Sequence, residues 1–244
     1  MTRPTESAAE LPIGEKIDAS PARRPQRVLL AGRSITLAPL DAKLHGDDLW
    51  ANLGGAQNEA LWLYLFDGPY SDRAAFDLEL ERKATSEDYL FFAVIGNESQ
   101  RALGYAAYLN IHPAHRSIEV GSILFSPVLQ RTRGATEAMY LTARHAFEEL
   151  GYRRYEWKCN ALNQPSRRAA LRFGFTLEGI FRQHMIIKGR NRDTAWFSLL
   201  DREWPSRKAA FERWLDPANF DAQGRQRTAL SDLISEGRGK SAGP

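Results

Sequence analysis

The chain has 244 residues, 43% hydrophobic and 26% charged, with a formal net charge of +3. These are the proportions of a soluble globular protein with one good core and some appendages. No apolar run approaches the roughly 18 residues a membrane span requires. The N-terminal stretch lacks a signal-peptide apolar segment and carries Glu6, Glu10, Glu15 and Asp18, against an acid-poor transit peptide, so a cytoplasmic protein with no membrane contact is expected. Cys159 is the single cysteine, which excludes an internal disulfide and a thiolate zinc cage, and the small positive excess suits a compact polyanion better than DNA.

Residues 1–24 are rich in Ala, Pro, Ser and Glu without apolar periodicity and read as a disordered arm, with order beginning near Val28. "SITLAPL" reads as a strand, and two apolar stretches within residues 47–66 and "DRAAFDLELERKA" as helices. "YLFFAVIG" and "RALGYAAYLNI" read as strands joined at "NESQ", and "SIEVGSILFS" as a further strand ended by Pro127. A helix follows through "ATEAMYLTARHAFEELGY", with Met139, Ala143, Ala146, Phe147 and Leu150 on one apolar face and Gly151 as its stop. "RRYEWKC" is a strand and "PSRRAALRFG" a short helix. "LEGIFRQHMIIKG" and "DTAWFSLL" form an antiparallel pair turning at "GRNR". The order is mixed α+β. Residues 205–244 read as a helical C-terminal extension with a loose tail.

The strand-turn-helix "SILFSPVLQRTRGATEAMYL" poses the first functional question. Unpaired N–H groups at a helix start favour a phosphate, and Arg131 and Arg133 add donors there. An ordinary loop with exposed arginines explains this segment equally well. His112 and His115 have the spacing of a metal pair, but the intervening Pro113 and the lack of nearby ligands favour a loop, so no metal is expected. His145 and Cys159 read as packing residues.

The downstream run adds order and spacing. Gln130, "TEA" at 136–138, "ELGYRR" at 149–154, Asn163 and Ser166 in "NQPS", "FGF" at 173–175, "EG" at 178–179 and Arg182 occur in sequence. In these elements the chain, over roughly residues 28–204, resembles the GNAT superfamily of acyl-CoA N-acyltransferases, in the branch of the ribosomal-protein N-terminal acetyltransferases. The resemblance implies a GNAT domain over 25–204: a curved, mostly antiparallel mixed sheet, flanked by helices, whose central strands splay into a cleft for acetyl-CoA or another acyl-CoA such as succinyl-CoA. It places the pyrophosphate on the backbone N–H groups of Arg131, Thr132, Arg133, Gly134 and Ala135, with Gln130 and Thr136 beside them among the cofactor-binding residues. The pantetheine arm would lie along Ile123 and Phe125, with Asn163 and Ser166 touching the cofactor. Plain capping of a helix with Pro165 in its first turn is the other reading of Asn163 and Ser166.

Two departures stand out. The family's loop usually has glycine where this chain has Arg133, and an arginine with positive φ there would be strained. Many members also carry a tyrosine general acid where this chain has Ala170. A thiolate of pKa about 8.5 leaves readily, whereas an amine of pKa about 10.4 needs a base. Glu119 is the candidate, since strand periodicity puts Glu119, Gly121, Ile123 and Phe125 on one face if no bulge intervenes. An exposed glutamate on a sheet face is the competing reading. Asn160 and His184 are candidates for lining the substrate side. The expected acceptor is an amine-bearing small molecule or a protein N-terminus, with nucleic acid not expected and a homodimer left open. Two other functions compete: a CoA-binding pseudoenzyme or sensor, suggested by Ala170, and an RNA-binding module built on the basic hairpin at 182–192.

Overall fold

A computed structural model describes residues 12–240. Eight strands form one sheet: β1 (Leu30–Ala31), β2 (Ile35–Pro39), β3 (Leu90–Gly96), β4 (Ala102–His112), β5 (Ser117–Phe125), β6 (Arg154–Asn160), β7 (Thr176–Ile187) and β8 (Arg190–Leu200). Their order across the sheet is β1-β2-β3-β4-β5-β6-β8-β7. Every neighbouring pair is antiparallel except β5 and β6. The chain must cross over to reach β6, and the helix α3 (Arg133–Arg144) lies in that crossover, so a parallel pairing follows from the connection. The other helices are α1 (Ala42–Leu53), α2 (Arg73–Ala84), α4 (Gln164–Arg172), α5 (Trp204–Leu215) and α6 (Leu230–Lys240). Among the described residues, no helix is long and apolar enough to cross a membrane.

The feature that matters for function is how briefly β5 and β6 pair. Ser117, Ile118 and Glu119 face Arg154, Tyr155 and Glu156, and there the parallel ladder stops. Beyond it, β5 carries an extra residue: Tyr105 pairs with Leu124 but Ala107 with Gly121, and Ser122 between them has φ +46°. A bulge of this kind bends its strand and increases its twist, turning β5 away from β6.

The bulge also resets which residues share a face. Ile118 and Val120 lie in the core beneath α3, and so do Ile123 and Phe125, whereas Leu124 packs into the core on the opposite face. The expected single face of Glu119, Gly121, Ile123 and Phe125 is therefore divided at Ser122, with Glu119 and Gly121 on one side of the sheet and Ile123 and Phe125 on the other.

Two apolar clusters sandwich the sheet. One lies under α1 and α2 and holds Trp62, Phe76, Phe91 and Tyr105. The other surrounds α3 and the π-helical turn His145–Glu149 that takes over where the expected single helix leaves α geometry. The expected face of Met139, Ala143, Ala146, Phe147 and Leu150 along them is buried. The C-terminal helices belong to this second cluster through Trp204, Phe211, Trp214, Leu233 and Ile234. Tyr140 stacks on Trp204 with ring centroids 6.1 Å apart, so the side of α3 away from the sheet is covered as well.

Some expected elements differ in detail. The second apolar stretch before residue 66 forms a 3-10 segment at Ala56–Trp62, where Trp62 drops into the core and its indole N–H donates to the Leu53 carbonyl. The β7–β8 turn is Lys188–Gly189, both at positive φ, so β8 starts at Arg190 and the turn lies before most of "GRNR". Backbone contact with the domain begins at Ala22 and Arg23, which donate to the carbonyls of Pro113 and Leu150. Of the arm expected over 1–24, residues 1–11 lie outside the described residues, as do residues 241–244 of the expected tail.

Candidate active site

Where β5 and β6 part, a cleft of about 630 Å³ opens, walled by β5, β6, the β7–β8 hairpin and the segment from Leu61 to Phe66. β6 alternates strictly. Tyr155, Trp157 and Cys159 are buried in the core and Glu156, Lys158 and Asn160 alternate with them, and of these six all but Tyr155 also line the cleft.

Glu119 stands at the fork and is only 5% exposed. Its Oε2 accepts from Asn110 Nδ2 at 2.6 Å and from Lys158 Nζ at 2.7 Å. Its Oε1 lies against Gly121, 3.2 Å from where a Cβ at that position would stand, and accepts no hydrogen bond from a described residue. One oxygen is clamped and the other has no hydrogen-bond partner among the described residues. Burial pushes the Glu119 carboxyl above its ordinary pKa, and the Lys158 and Asn110 contacts offset this only partly.

Lys158 is shared, since its Nζ also lies 2.8 Å from Glu156 and 4.1 Å above the centre of the Trp196 ring. For Glu156 burial works upward too, but hydrogen bonds from Lys158 and Arg154 outweigh it and hold the carboxyl low. Arg154 extends the chain to Glu178, whose carboxyl it holds down at about 2. A line of alternating charge thus runs along β6 into the cleft. Lys158, Glu156 and Asn110 were not singled out from sequence, although the period-2 reading of "RYEWKCN" contains the signal for the first two.

The loop before α3 is separate: Ile123, Asn163 and Ser166 line the cleft, whereas Phe125, Gln130, Arg131, Thr132, Arg133, Gly134, Ala135 and Thr136 are not in its lining. Thr132 caps the helix, its hydroxyl accepting from the Ala135 N–H at 3.2 Å, and its own N–H donates to the Leu129 carbonyl. The N–H groups of Arg131, Arg133 and Gly134 make no hydrogen bond to a described residue. The expected five-amide seat from Arg131 to Ala135 is therefore three free amides around a self-capped threonine. Positive φ falls on Arg131, at +63°, and not on Arg133. The strain anticipated for Arg133 does not arise, because that residue is the first of the helix and its guanidinium sits 4.6 Å from the Phe220 ring centre. Its side chain thus packs on the C-terminal segment.

Gly134 serves close packing: a Cβ there would stand 2.8 Å from Ile35 Cγ2. Glu137 of "TEA" is buried and accepts from the N–H groups of Arg33, Ser34 and Ile35, fastening α3 to the β1–β2 turn. Thr136 accepts from Arg172 on α4 at 3.1 Å. Gln130 folds back, its side-chain amide donating to the Phe125 carbonyl at 2.8 Å.

Asn163 does cap α4, accepting from the Ser166 N–H, and Ser166 Oγ accepts from the Trp157 indole at 3.0 Å. Both residues also line the cleft with Ile123. Asn160 lines it while its Oδ1 accepts from the Leu162 N–H. An irregularity in β7 between Phe181 and Met185 carries His184 to the cleft, with Nδ1 3.0 Å from Thr194 Oγ1. Cys159 is buried and burial raises its thiol pKa, which keeps it protonated and poorly nucleophilic. His145 packs as expected, its ring stacked on Tyr108. Ala170 is wholly buried on α4.

A splayed parallel pair, a helix start with free amides and a carboxylate at the fork suit an acyl-CoA and an attacking amine. Comparison with known proteins agrees. Residues 35–176 match the model of the acetyltransferase (GNAT) domain. A GCN5-related N-acetyltransferase from Brucella melitensis is 48% identical, with a TM-score of 0.87 over 89% of this chain and 99% of that one. A structure from Chromobacterium violaceum ATCC 12472, provisionally assigned to the GNAT family, is 40% identical, with a TM-score of 0.71 over 84% of this chain and 100% of that one. YdaF of Bacillus subtilis (strain 168), provisionally named a ribosomal N-acetyltransferase, is 30% identical over 105 residues, 43% of this chain and 57% of that one, so the match spans little more than half of that relative. The fold, the domain match and these relatives together make the chain a member of the GNAT acetyltransferase family, an N-acetyltransferase of the kind that draws on acyl-CoA.

Proposed function

We propose that this protein transfers an acetyl group from acetyl-CoA to a primary amine by direct attack, with Glu119 as general base. The observation that carries the proposal is the divided role of the carboxylate of Glu119, which lines the cleft: Oε2 is fixed by Asn110 and Lys158, and Oε1, beside Gly121, has no hydrogen-bond partner among the described residues. The acyl thioester supplies an electrophilic carbonyl and a leaving group of pKa about 8.5. The three free amides at the start of α3 would hold its pyrophosphate, and Asn163 and Ser166, which line the cleft, would touch the cofactor there. An alkylammonium of pKa about 10.4 must lose a proton before it can attack. Glu119 Oε1 takes that proton, and its raised pKa makes it a stronger acceptor than a solvated carboxylate. Gly121 leaves the room, since a Cβ there would meet Leu109 Cδ1 at 2.6 Å as well as Oε1.

A protein N-terminus or a small amine fits this chemistry, and the provisional name of YdaF favours the protein acceptor. The RNA-binding reading loses support, because Arg192 turns inward and Lys188 donates to the Trp62 carbonyl, which breaks up the basic face of the hairpin. The test is free-thiol release measured over a matrix of acyl-CoAs and amines that includes peptides with free N-termini. Release with acetyl-CoA and at least one primary amine is expected. Tight CoA binding with no release for any amine would overturn the proposal in favour of a CoA sensor.

A further inference from the structure

Arg192 is a buried cation with no carboxylate in ion-pair contact among the described residues, the Glu119 carboxylate acting on it only at longer range. It lies on β8, is 6% exposed, and lines the cleft beside Thr194 and Trp196. Its Nε donates to Thr194 Oγ1 at 3.2 Å, and its guanidinium carbon lies 4.7 Å from the centre of the Phe66 ring. It makes no other hydrogen bond or ion pair with a described residue. The other buried cations on this side of the sheet are each held by two carboxylates, Lys83 by Asp67 and Glu79 and Lys158 by Glu119 and Glu156.

Burying a charge is costly unless it is paired, and an arginine cannot escape by losing its proton at ordinary pH. Phe66 lies against the guanidinium carbon, and the terminal N–H groups along the guanidinium edge make no hydrogen bond to a described residue. That edge matches the two oxygens of a carboxylate.

We propose that Arg192 is the recognition group for a carboxylate carried by one of the two substrates, and that this carboxylate completes the ion pair the folded chain leaves open. The proposal rests on the cleft being the acyl-transfer site. Two sources supply the same chemistry: an acceptor that carries a carboxylate near its amine, and an acyl chain that ends in one. In the first case the zwitterion is oriented at both ends, its ammonium toward Glu119 and its carboxylate toward Arg192.

Equilibrium binding separates these sources and needs no turnover, so it decides the proposal even if no thiol is released. Calorimetric titrations would compare succinyl-CoA with butyryl-CoA, and, on the CoA-saturated protein, free α-amino acids with their carboxamides. Each would be run on the wild type and on Arg192→Gln. One of the two pairs is expected to favour the carboxylate form by about 10- to 100-fold, as charged hydrogen bonds allow, and the Gln variant is expected to lose that preference while binding the neutral partner as before. If Arg192→Gln loses its cooperative melt, Arg192→Lys takes its place; it keeps the charge and removes the fork, and the preference is then expected to fall several-fold. Absence of a preference in both pairs, or a preference that survives removal of the guanidinium, would overturn the proposal.

Discussion

The start of α3 and the fork of β5 and β6 manage charge by different means. At the start of α3, positive potential comes from backbone: free amides of Arg131, Arg133 and Gly134, held by a threonine cap and by Glu137 fastening the helix to the β1–β2 turn. At the fork of β5 and β6 it comes from buried side chains, Lys158 between two carboxylates and Arg192 with none in ion-pair contact among the described residues. Backbone dipoles are fixed once the helix is fixed, whereas side-chain charges depend on their neighbours for protonation state and position. Mutations at the start of α3 should therefore leave the pH profile of turnover unchanged, and mutations at the fork should alter pH dependence, rate or the preference for a charged substrate.

The largest effect that sharpens this contrast is expected for Lys158→Met. Removing one partner of a buried pair costs about 3 kcal/mol or more, so the melting temperature should fall. Glu119 would keep its burial and lose its main compensating charge, so its pKa, already raised, should rise further. A base works only when deprotonated. The acid limb of the kcat/KM profile should then move to higher pH, and an unmoved limb would separate Lys158 from the chemistry.

Glu137→Gln comes next. The carboxylate accepts from three consecutive N–H groups and from the Ser34 hydroxyl, and weakening them should cost about 2–3 kcal/mol in a denaturant titration. Acetyl-CoA affinity should fall with it as the helix start loosens, while the pH profile of turnover keeps its shape. Gly134→Ala presses a methyl to 2.8 Å from buried Ile35. Overpacking of this kind costs about 1–3 kcal/mol, and the expected signature is a higher KM for acetyl-CoA with little change in kcat.

The smallest effect is a pH dependence of stability. Glu178 is held at about 2 against an ordinary 4.5, chiefly by the Arg154 hydrogen bonds. Its contribution is complete above pH 4.5 and is lost as pH falls toward 2, because the unfolded chain binds the proton first. Glu119 acts in the opposite direction: with its folded pKa raised, stability declines as pH rises from its unfolded value through its folded one. Partial solvent exposure of Glu178 keeps its share small. Arg154→Met should flatten the acid arm of a melting-temperature profile without touching acetyl-CoA binding.

Much of this architecture was legible because periodicity is local. The alternation of "RYEWKCN" and the apolar face of α3 needed no knowledge of the rest of the chain, and order and spacing from Gln130 to Arg182 carried the family. What was not legible depends on pairing between distant segments. The bulge at Ser122 is a property of register against β4, and nothing in "EVGSILF" announces that Ile123 and Phe125 will leave the face of Glu119. Arg192 looked like one of several exposed basic residues, and only the pairing of β8 with both β6 and β7 turns it inward beside Thr194 and Trp196. The C-terminal helices were readable as helices, but their place in the main core required Trp204, Phe211 and Trp214 to meet α3 and α4 in space.

The most direct test of Glu119 as the base is a paired measurement on Glu119→Gln, with acetyl-CoA affinity by calorimetry and turnover of the best amine by thiol release across pH. General-base catalysis contributes about 10²–10⁴-fold. The expected result is unchanged affinity, a rate lower by that factor, and loss of the acid limb seen in the wild type. Equal turnover with the acid limb still in place would contradict it.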